Sequence, residues 1–420
     1  MTEHKDSSWN NGVLLSQGVC SNAADELTSV KLVLPFLYTT VGAPIVFAGL
    51  LVPLETVAKR LSQILAAPRI SAKHSSAKAM ALATLAMAAA IVLISLTYRA
   101  AGPVAVVPIF LFVALAMGAA AGVRGLAFQD LIGRVLSSER RHRLLFVQSA
   151  LAGLFVVIVA YGSQFVLQPG TSTAAHQELI WLGIGLFVSA SLLVLAVREP
   201  AKRAPDAEPE GETRSQLAAL RSSFRDAFSL PWFSRFLVAR VFYLSIELAI
   251  PFFSIHAATF HGDSISGLST FVVASSIGVM AGGVLWARIG QNAVTRIMVL
   301  ASVIAALAGL MALGIELDLV PQNIICYAVV FALVAMAAQG VKNGRTLYLI
   351  GMAAEHERPS CIAVANVSTG MVAIVVGALL GALAGLQGVA WPIGVLILLN
   401  VAAAIYTLRL HKASGRTEEE

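Results

Sequence analysis

Six ionisable residues sit inside otherwise apolar stretches of this chain: Asp25, Glu26, Lys31, Glu55, Arg240 and Glu247. A charge at the centre of a bilayer costs about 2.5–3.5 kcal/mol on insertion scales, so it survives where a partner or a water-filled cavity meets it. Carboxylates and bases placed this way bind polar solutes, carry protons or neutralise one another. All six are therefore candidates for a solute or proton pathway. Lys31 and Glu247 hold equivalent places in an internal repeat (247 − 31 = 216), which suggests opposite charges facing each other from the two halves. Arg240 maps to Ala24, next to Asp25, and suggests a second such pair. A structural pair that merely offsets its own burial is the competing reading. Glu55 follows Pro53 as a lone carboxylate in apolar sequence, suited to carrying a proton unless Lys59, one turn on, neutralises it.

Further charges lie nearer the predicted span ends. Arg124 and Lys342 are repeat partners (342 − 124 = 218), able either to attract an anion or to reach for the membrane surface. Asp130, Glu139 and Glu357 with nearby arginines, together with Arg345 and Arg288, are gate candidates; an exposed pair of this kind contributes little alone. The chain has no G-x-x-x-x-G-K-[ST] loop, no His/Cys metal spacing and no nucleophile elbow, so no enzyme, cofactor, metal or nucleic-acid partner is expected. Three cysteines, Cys20, Cys326 and Cys361, lie in apolar segments and read as small hydrophobes.

The elements that must position these residues are written twice. Val123-Arg124-Gly125 through Glu139-Arg140 aligns without a gap on Val341-Lys342-Asn343 through Glu357-Arg358, at an offset of 218 (341 − 123). Leu131-Ile132-Gly133 thereby falls on Leu349-Ile350-Gly351, and Leu32 to Phe36 falls on Leu248 to Phe252 at 216. Composition fixes the solvent: 58% of residues are hydrophobic, only 12% are charged, and the mean hydropathy is +0.81. A soluble domain is about a quarter charged, so lipid must receive the surplus. No cleaved signal is read at the N-terminus.

A bilayer-crossing helix needs about 20 mostly apolar residues. The sequence predicts twelve: 11–41, 45–66, 78–99, 104–126, 143–167, 178–198, 232–258, 265–287, 293–315, 322–341, 360–385 and 389–409. The stretch 59–78 holds Lys59, Arg60, Arg69, Lys73 and Lys78, and alternate loops carry Arg140, Arg141, Arg143, Arg288, Arg296, Arg409, Lys412 and Arg416. Intervening loops carry Glu178, Asp263, Glu316 and Asp318. Lys and Arg stay on the cytoplasmic side, which puts both termini there. Trp9, Trp181, Trp232, Trp286 and Trp391 all fall at predicted span ends, as an aromatic belt does. The domain reading is 1–198 and 230–420, each a six-helix bundle, joined by a polar linker at 199–229 whose second part is amphipathic. Gly118-Gly122, Gly278-Gly282 and Gly377-Gly381-Gly385 have the spacing that lets membrane helices approach closely, and they suggest spans eight and eleven as the contact between halves.

Six plus six spans, a parallel repeat and a central linker resemble the major facilitator superfamily. Gly283 to Gly290 is similar to the family's G-x-L-a-D-R-x-G loop, with Ala287 in place of Asp, while Leu65 to Arg69 is a degraded counterpart. Glu26-Leu27-Thr28 with Leu34-Pro35 resembles the first-helix motif of drug/proton antiporters, although the fifth-helix G-P-x-x-G-G ending is missing from 143–167. The stretch Leu32 to Leu54 also resembles a poorly characterised group of bacterial permeases of this superfamily. The resemblance implies an all-α membrane fold of twelve helices in two bundles, with helices one, four, seven and ten lining a cavity. It implies a monomeric secondary transporter of a bacterial inner membrane that moves a small solute by alternating access with protons. A proton-antiporting drug or metabolite exporter, and a receptor or assembly factor on a transporter fold, are the alternatives.

Overall fold

The computed structural model describes residues 8–72, 75–97, 102–136, 144, 147–148, 151–159, 172–199, 224–261, 265–289, 294–354 and 357–410. These residues are built from helices: α1 Ser8–Leu27, α2 Val33–Thr40, a 3-10 segment Ile45–Leu50, α3 Leu51–Ala72, α4 Ser76–Thr97, α5 Val106–Val135 and α6 Ser172–Leu195. Then come α7 Pro231–Phe242, α8 Leu244–His261, α9 Ile265–Ile289, α10 Val294–Glu316, α11 Ile324–Met352, α12 Arg358–Gln387 and α13 Ala390–Leu408. Among the described residues, nine stretches are helical, long and apolar enough to cross a bilayer. The chain is a multi-pass membrane protein. Leu82, Phe112, Leu192, Leu307, Leu379 and Leu398 are exposed on these helices, as side chains facing lipid must be.

Twelve unbroken spans were expected; among the described residues, spans one and seven are interrupted. Span one stops at Leu27 and resumes at Val33; span seven is broken at Tyr243 alone. The breaks are repeat equivalents, because Leu27 maps to Tyr243 (243 − 27 = 216). Across the first break the Ser29 carbonyl accepts from the amides of both Val33 and Leu34, so the backbone is satisfied without continuing the helix. Span two is helical but carries Glu55, Lys59 and Arg60, so it is not among the nine. Much of span five and of the linker, with Glu139, Arg140, Arg141, Arg143, Asp263, Lys73, Lys412 and Arg416, lies outside the described residues. Gly42, at φ 72°, makes the turn that leads from α2 to the 3-10 segment, a conformation that favours glycine. Tyr38 closes that turn by donating to the Pro44 carbonyl at 2.8 Å.

The chain divides into two compact units. The first comprises Met1–Pro44, Leu50–Gly211 and His261–Val273; the second comprises Ile45–Gly49, Glu212–Phe260 and Ala274–Glu420. In the first, α3 and α4 pack on α5, α4 also packs on α6, and α1 packs on α6. In the second, α10 packs on α11 and α13, and α9 meets α11. Each unit therefore repeats the same internal scheme, with α4–α5 and α4–α6 matched by α10–α11 and α10–α13. Gly133 and Gly351 both fall in the last turn of the equivalent helices α5 and α11.

Small residues set the tightest of these approaches. A Cβ on Gly118 would strike the backbone of Glu55, and one on Gly122 would strike the Lys59 carbonyl and the Ser62 hydroxyl. The bare backbone at both positions lets α3 close onto α5. In the second unit Gly278 lies against the Ala332 backbone, so α9 meets α11 in the same way. The sequence placed Gly278-Gly282 between the halves; the structure uses it inside one unit. Trp286 is likewise a packing residue, not a belt residue: it is buried against Gly340, and its indole N–H donates to the Met336 carbonyl at 3.0 Å. Cys20 and Cys326 are half-buried, and only Cys361 is fully buried.

Gly122→Leu should destabilise the protein by about 1–3 kcal/mol through overpacking, read as a lower Tm in detergent. Gly133 has open space where a Cβ would stand, so Gly133→Ala should leave Tm unchanged or raise it.

Candidate functional site

In the first unit the glycine contact between α3 and α5 brings charges of both signs together. Arg124 on α5 reaches α1, where its Nη2 donates to Asp25 Oδ2 at 2.6 Å and its Nη1 to Ser21 Oγ at 2.9 Å. The guanidinium also stands 5.9 Å from the centroid of the Phe187 ring of α6. Asp25 and Ser21 are four residues apart on α1, which places both on one face. Lys59 on α3 lies within electrostatic range of Glu55, Lys31, Asp25 and Arg124, and Glu26 within range of Asp25 and Lys31. The group holds three carboxylates, Asp25, Glu26 and Glu55, and three bases, Lys31, Lys59 and Arg124, so its formal charge is balanced. One turn before Ser21, Gln17 is 1% exposed, and neither atom of its amide has a hydrogen-bond partner among the described residues.

The second unit repeats the theme on the equivalent helices. Arg345 on α11 donates to Glu247 Oε1 on α8 at 2.6 Å. Glu247 stands in the first turn of α8 and Arg240 in the last turn of α7, on either side of the Tyr243 break. Arg240 donates to Asn366 Oδ1 on α12. Tyr243 shares a hydrogen bond with Thr407, and Ser245 donates to Asn400, so α13 anchors the break from behind. Glu247 was matched with Lys31 and Arg240 with the Asp25 side; the structure gives Glu247 to Arg345 and Asp25 to Arg124, each within its own unit. Symmetry in the sequence identifies equivalent positions but not which neighbouring helix is within reach. Arg124 maps onto Lys342, yet the base that meets the carboxylate is Arg345, three residues on. The side chain of Lys342 is exposed, as is Arg288 at the end of α9.

A third cluster joins helix ends of the first unit. Arg134, near the end of α5, binds Asp130 one turn back at 2.6 Å, and also binds Glu199 just after α6. Glu199 Oε2 accepts from Ser75 Oγ at 2.6 Å, and its carboxylate accepts from the backbone amides of Ser76 at 3.0 Å and Ala77 at 3.3 Å. Ser76 donates to Asp130 and accepts from Arg134 at 3.0 Å. Burial works to raise the Glu199 carboxyl, but the hydrogen bonds from Ser75, Arg134, Ser76 and Ala77 outweigh it and hold it below the usual range. Apolar side chains back this knot, including Leu131, Val135, Ala77 and Val194. Glu199 was read as the first residue of the linker; the Ser75-Ser76 start of α4 was the signal that an acceptor was needed there. Glu357 acts locally, accepting from the Ala354 amide at 3.0 Å, while Arg358 donates to the Ala353 carbonyl at 3.1 Å.

Two outcomes check this geometry. Asp25→Ala and Arg124→Ala should each lower Tm by more than half of what the double variant does, with a coupling energy of about 0.5–3 kcal/mol in a double-mutant cycle. For Glu199, a carboxyl held below its ordinary value near 4.5 lends stability above that pH and loses it as pH falls through the lower folded value. The Tm gap between wild type and Glu199→Gln should be full at pH 7 and should close below about pH 4.5.

No family model matches the chain. The uncharacterized protein Rv2209 of Mycobacterium tuberculosis and the uncharacterized protein Mb2232 of Mycobacterium bovis are each 29% identical to it over 411 residues, or 97% of this chain and 78% of theirs. Among solved structures, the nucleoside transporter NupG superposes with a TM-score of 0.69 at 11% identity, covering 96% of this chain and 98% of that one. A D-xylose-proton symporter superposes at 0.67 and 12% identity over 98% of this chain and 100% of the other. The POT family transporter PepTSo superposes at 0.65 and 9% identity over 95% of this chain and 97% of the other. With repeats, helix packing and these superpositions in agreement, the chain has the fold of the major facilitator transporters.

Proposed function

We propose that the chain is a secondary active transporter that moves a small polar solute by alternating access, driven by protons, with both termini in the cytoplasm. The observation that carries this reading is the doubled ion pair: Asp25–Arg124 and Glu247–Arg345 join the first and fourth spans of each repeat inside membrane-length helices. A pair that serves stability alone has no reason to leave its members accessible. Here Asp25 is 34% and Glu247 26% exposed, whereas their arginines are 14% and 12% exposed. The carboxylates are thus open to a solute or proton while the guanidinium groups are held. The unpartnered Gln17 amide, next to Ser21, supplies a donor and an acceptor for hydroxyl or amide groups of the solute. Solved proteins of this fold include a nucleoside transporter and a D-xylose-proton symporter, which fits a solute rich in hydroxyls. Asp130, Arg134 and Glu199 act as the cytoplasmic gate of the first unit, and Lys342 and Arg288 as surface charges near the corresponding end of the second.

The test begins with purified protein and a panel of nucleosides, pentoses and short peptides. A true ligand at 100 times its Kd should stabilise the fold by about 2.7 kcal/mol. That ligand should then accumulate in proteoliposomes under an imposed pH gradient, and Asp25→Asn should abolish accumulation. Binding without flux would identify a receptor on a transporter fold instead. Flux outward against the proton gradient would identify the antiporting exporter to which Glu26 points.

A further inference from the structure

Three titratable side chains that take no part in either ion pair form one hydrogen-bonded chain in the second unit. Glu316 is the last residue of α10, His256 lies late in α8, and Tyr327 is in the first turn of α11. His256 Nε2 is 2.9 Å from Glu316 Oε2, and His256 Nδ1 is 3.0 Å from the Tyr327 hydroxyl. Exposure falls steeply along the chain: Glu316 is 41% exposed, His256 3% and Tyr327 fully buried. Phe260 packs edge-on against the imidazole at 5.3 Å and lies 6.3 Å from the Tyr327 ring, so the inner part is shielded from water. Glu316 is the charged group that acts on His256. Asp318, on the connection between α10 and α11, is engaged by Gln322 at 2.7 Å.

The geometry points to a proton-binding site made by Glu316, His256 and Tyr327, separate from the Glu247–Arg345 pair, which loads the driving proton from the non-cytoplasmic side. This rests on the proton-driven reading above. The chemistry of the site follows from its donors and acceptors. With Glu316 ionised, a neutral His256 carries its hydrogen on Nε2, because a lone pair there would face a carboxylate oxygen. Nδ1 then accepts from the Tyr327 O–H. When the site takes up a proton, Nδ1 carries hydrogen as well, and the imidazolium donates from both nitrogens. Tyr327 must then accept, and its own hydrogen turns away from the ring. Proton and positive charge both remain on His256, balanced by Glu316. One proton therefore reverses a hydrogen bond between α8 and α11. Those same two helices carry Glu247 and Arg345, so the bond that changes and the ion pair join the same elements at different heights. The charge bias places this end away from the cytoplasm, since Arg288 and Arg296 flank the opposite end of α10.

Two measurements test it. Nitrogen-15 spectra of histidine-labelled wild type should show His256, assigned by its loss in His256→Gln, as the Nε2–H tautomer that converts to imidazolium on acidification. Its titration midpoint should change in Glu316→Gln. The opposite tautomer, or no change of midpoint, would overturn the site without reference to transport. In proteoliposomes, the ratio of pH-gradient-driven uptake to solute exchange should fall in His256→Gln, Glu316→Gln and the milder Tyr327→Phe. Wild-type ratios in all three would place the proton elsewhere. A wild type that transports without any response to the gradient would instead refute the proton-driven reading, and the spectra would still decide whether the proton site exists.

Discussion

Charge in a medium without water must be met by opposite charge or by polar groups brought along with it, and this requirement organises the molecule. The Arg124 side chain is only 14% exposed, and α1 presents Ser21 and Asp25 to it while α6 presents a ring face. For Glu55 and Lys59 to join, α3 must lie on the bare backbone of Gly118 and Gly122. The same requirement acts again in the second unit, where Glu247 finds Arg345. Interactions that would be worth little on a wet surface acquire weight here because their alternatives are so poor.

The two units meet the requirement with the same helices but different rungs. Arg124 and Arg345 are not repeat equivalents, and neither are Asp25 and Glu247. Duplication fixes which helices face each other; afterwards a base three residues along α11 can take over, because it still projects from the same side one turn away. Equivalent helix faces are conserved by packing, whereas the residue that carries the charge is free to move along them.

This explains what could be read from the sequence and what could not. The repeat, the apolar spans and the glycine ridges are properties of spacing, and spacing is visible in one dimension. Asp25, Glu26, Lys31, Glu55, Arg240 and Glu247 stood out because each is anomalous in its own neighbourhood. Arg124 and Arg345, which meet two of them, stood out as charges too, but Ser21 and Phe187 beside Arg124 and Asn366 beside Arg240 did not, since they are ordinary residues in ordinary helices. The break at Tyr243 was hidden because nothing but a single aromatic residue marks it, and Thr28, Ser29 and Lys31 in the break at 28–32 were read as polar residues within one span. Trp286 was misassigned for a related reason: nearness to a span end says nothing about which way an indole points. His256 and Tyr327 are 71 residues apart, and no local pattern announces either.

The break at Tyr243 gives the second unit an asymmetry of its own. A helix that ends within a span exposes its dipole there, with about half a negative charge at the end of α7 and half a positive charge at the start of α8. Arg240 stands at the negative end and Glu247 at the positive one, so each is steadied by backbone before any side chain arrives. In the first unit the signs are reversed: Asp25 and Glu26 lie at the carbonyl end of α1 and Lys31 precedes the amide end of α2. Each favourable placement contributes about 0.3–1 kcal/mol, and each unfavourable one removes as much. Were its ion pair to open, the second unit would leave Glu247 partly solvated by the main chain, whereas Asp25 of the first unit would have to be met by other side chains. In the proposed transport cycle the two units would then carry unequal parts.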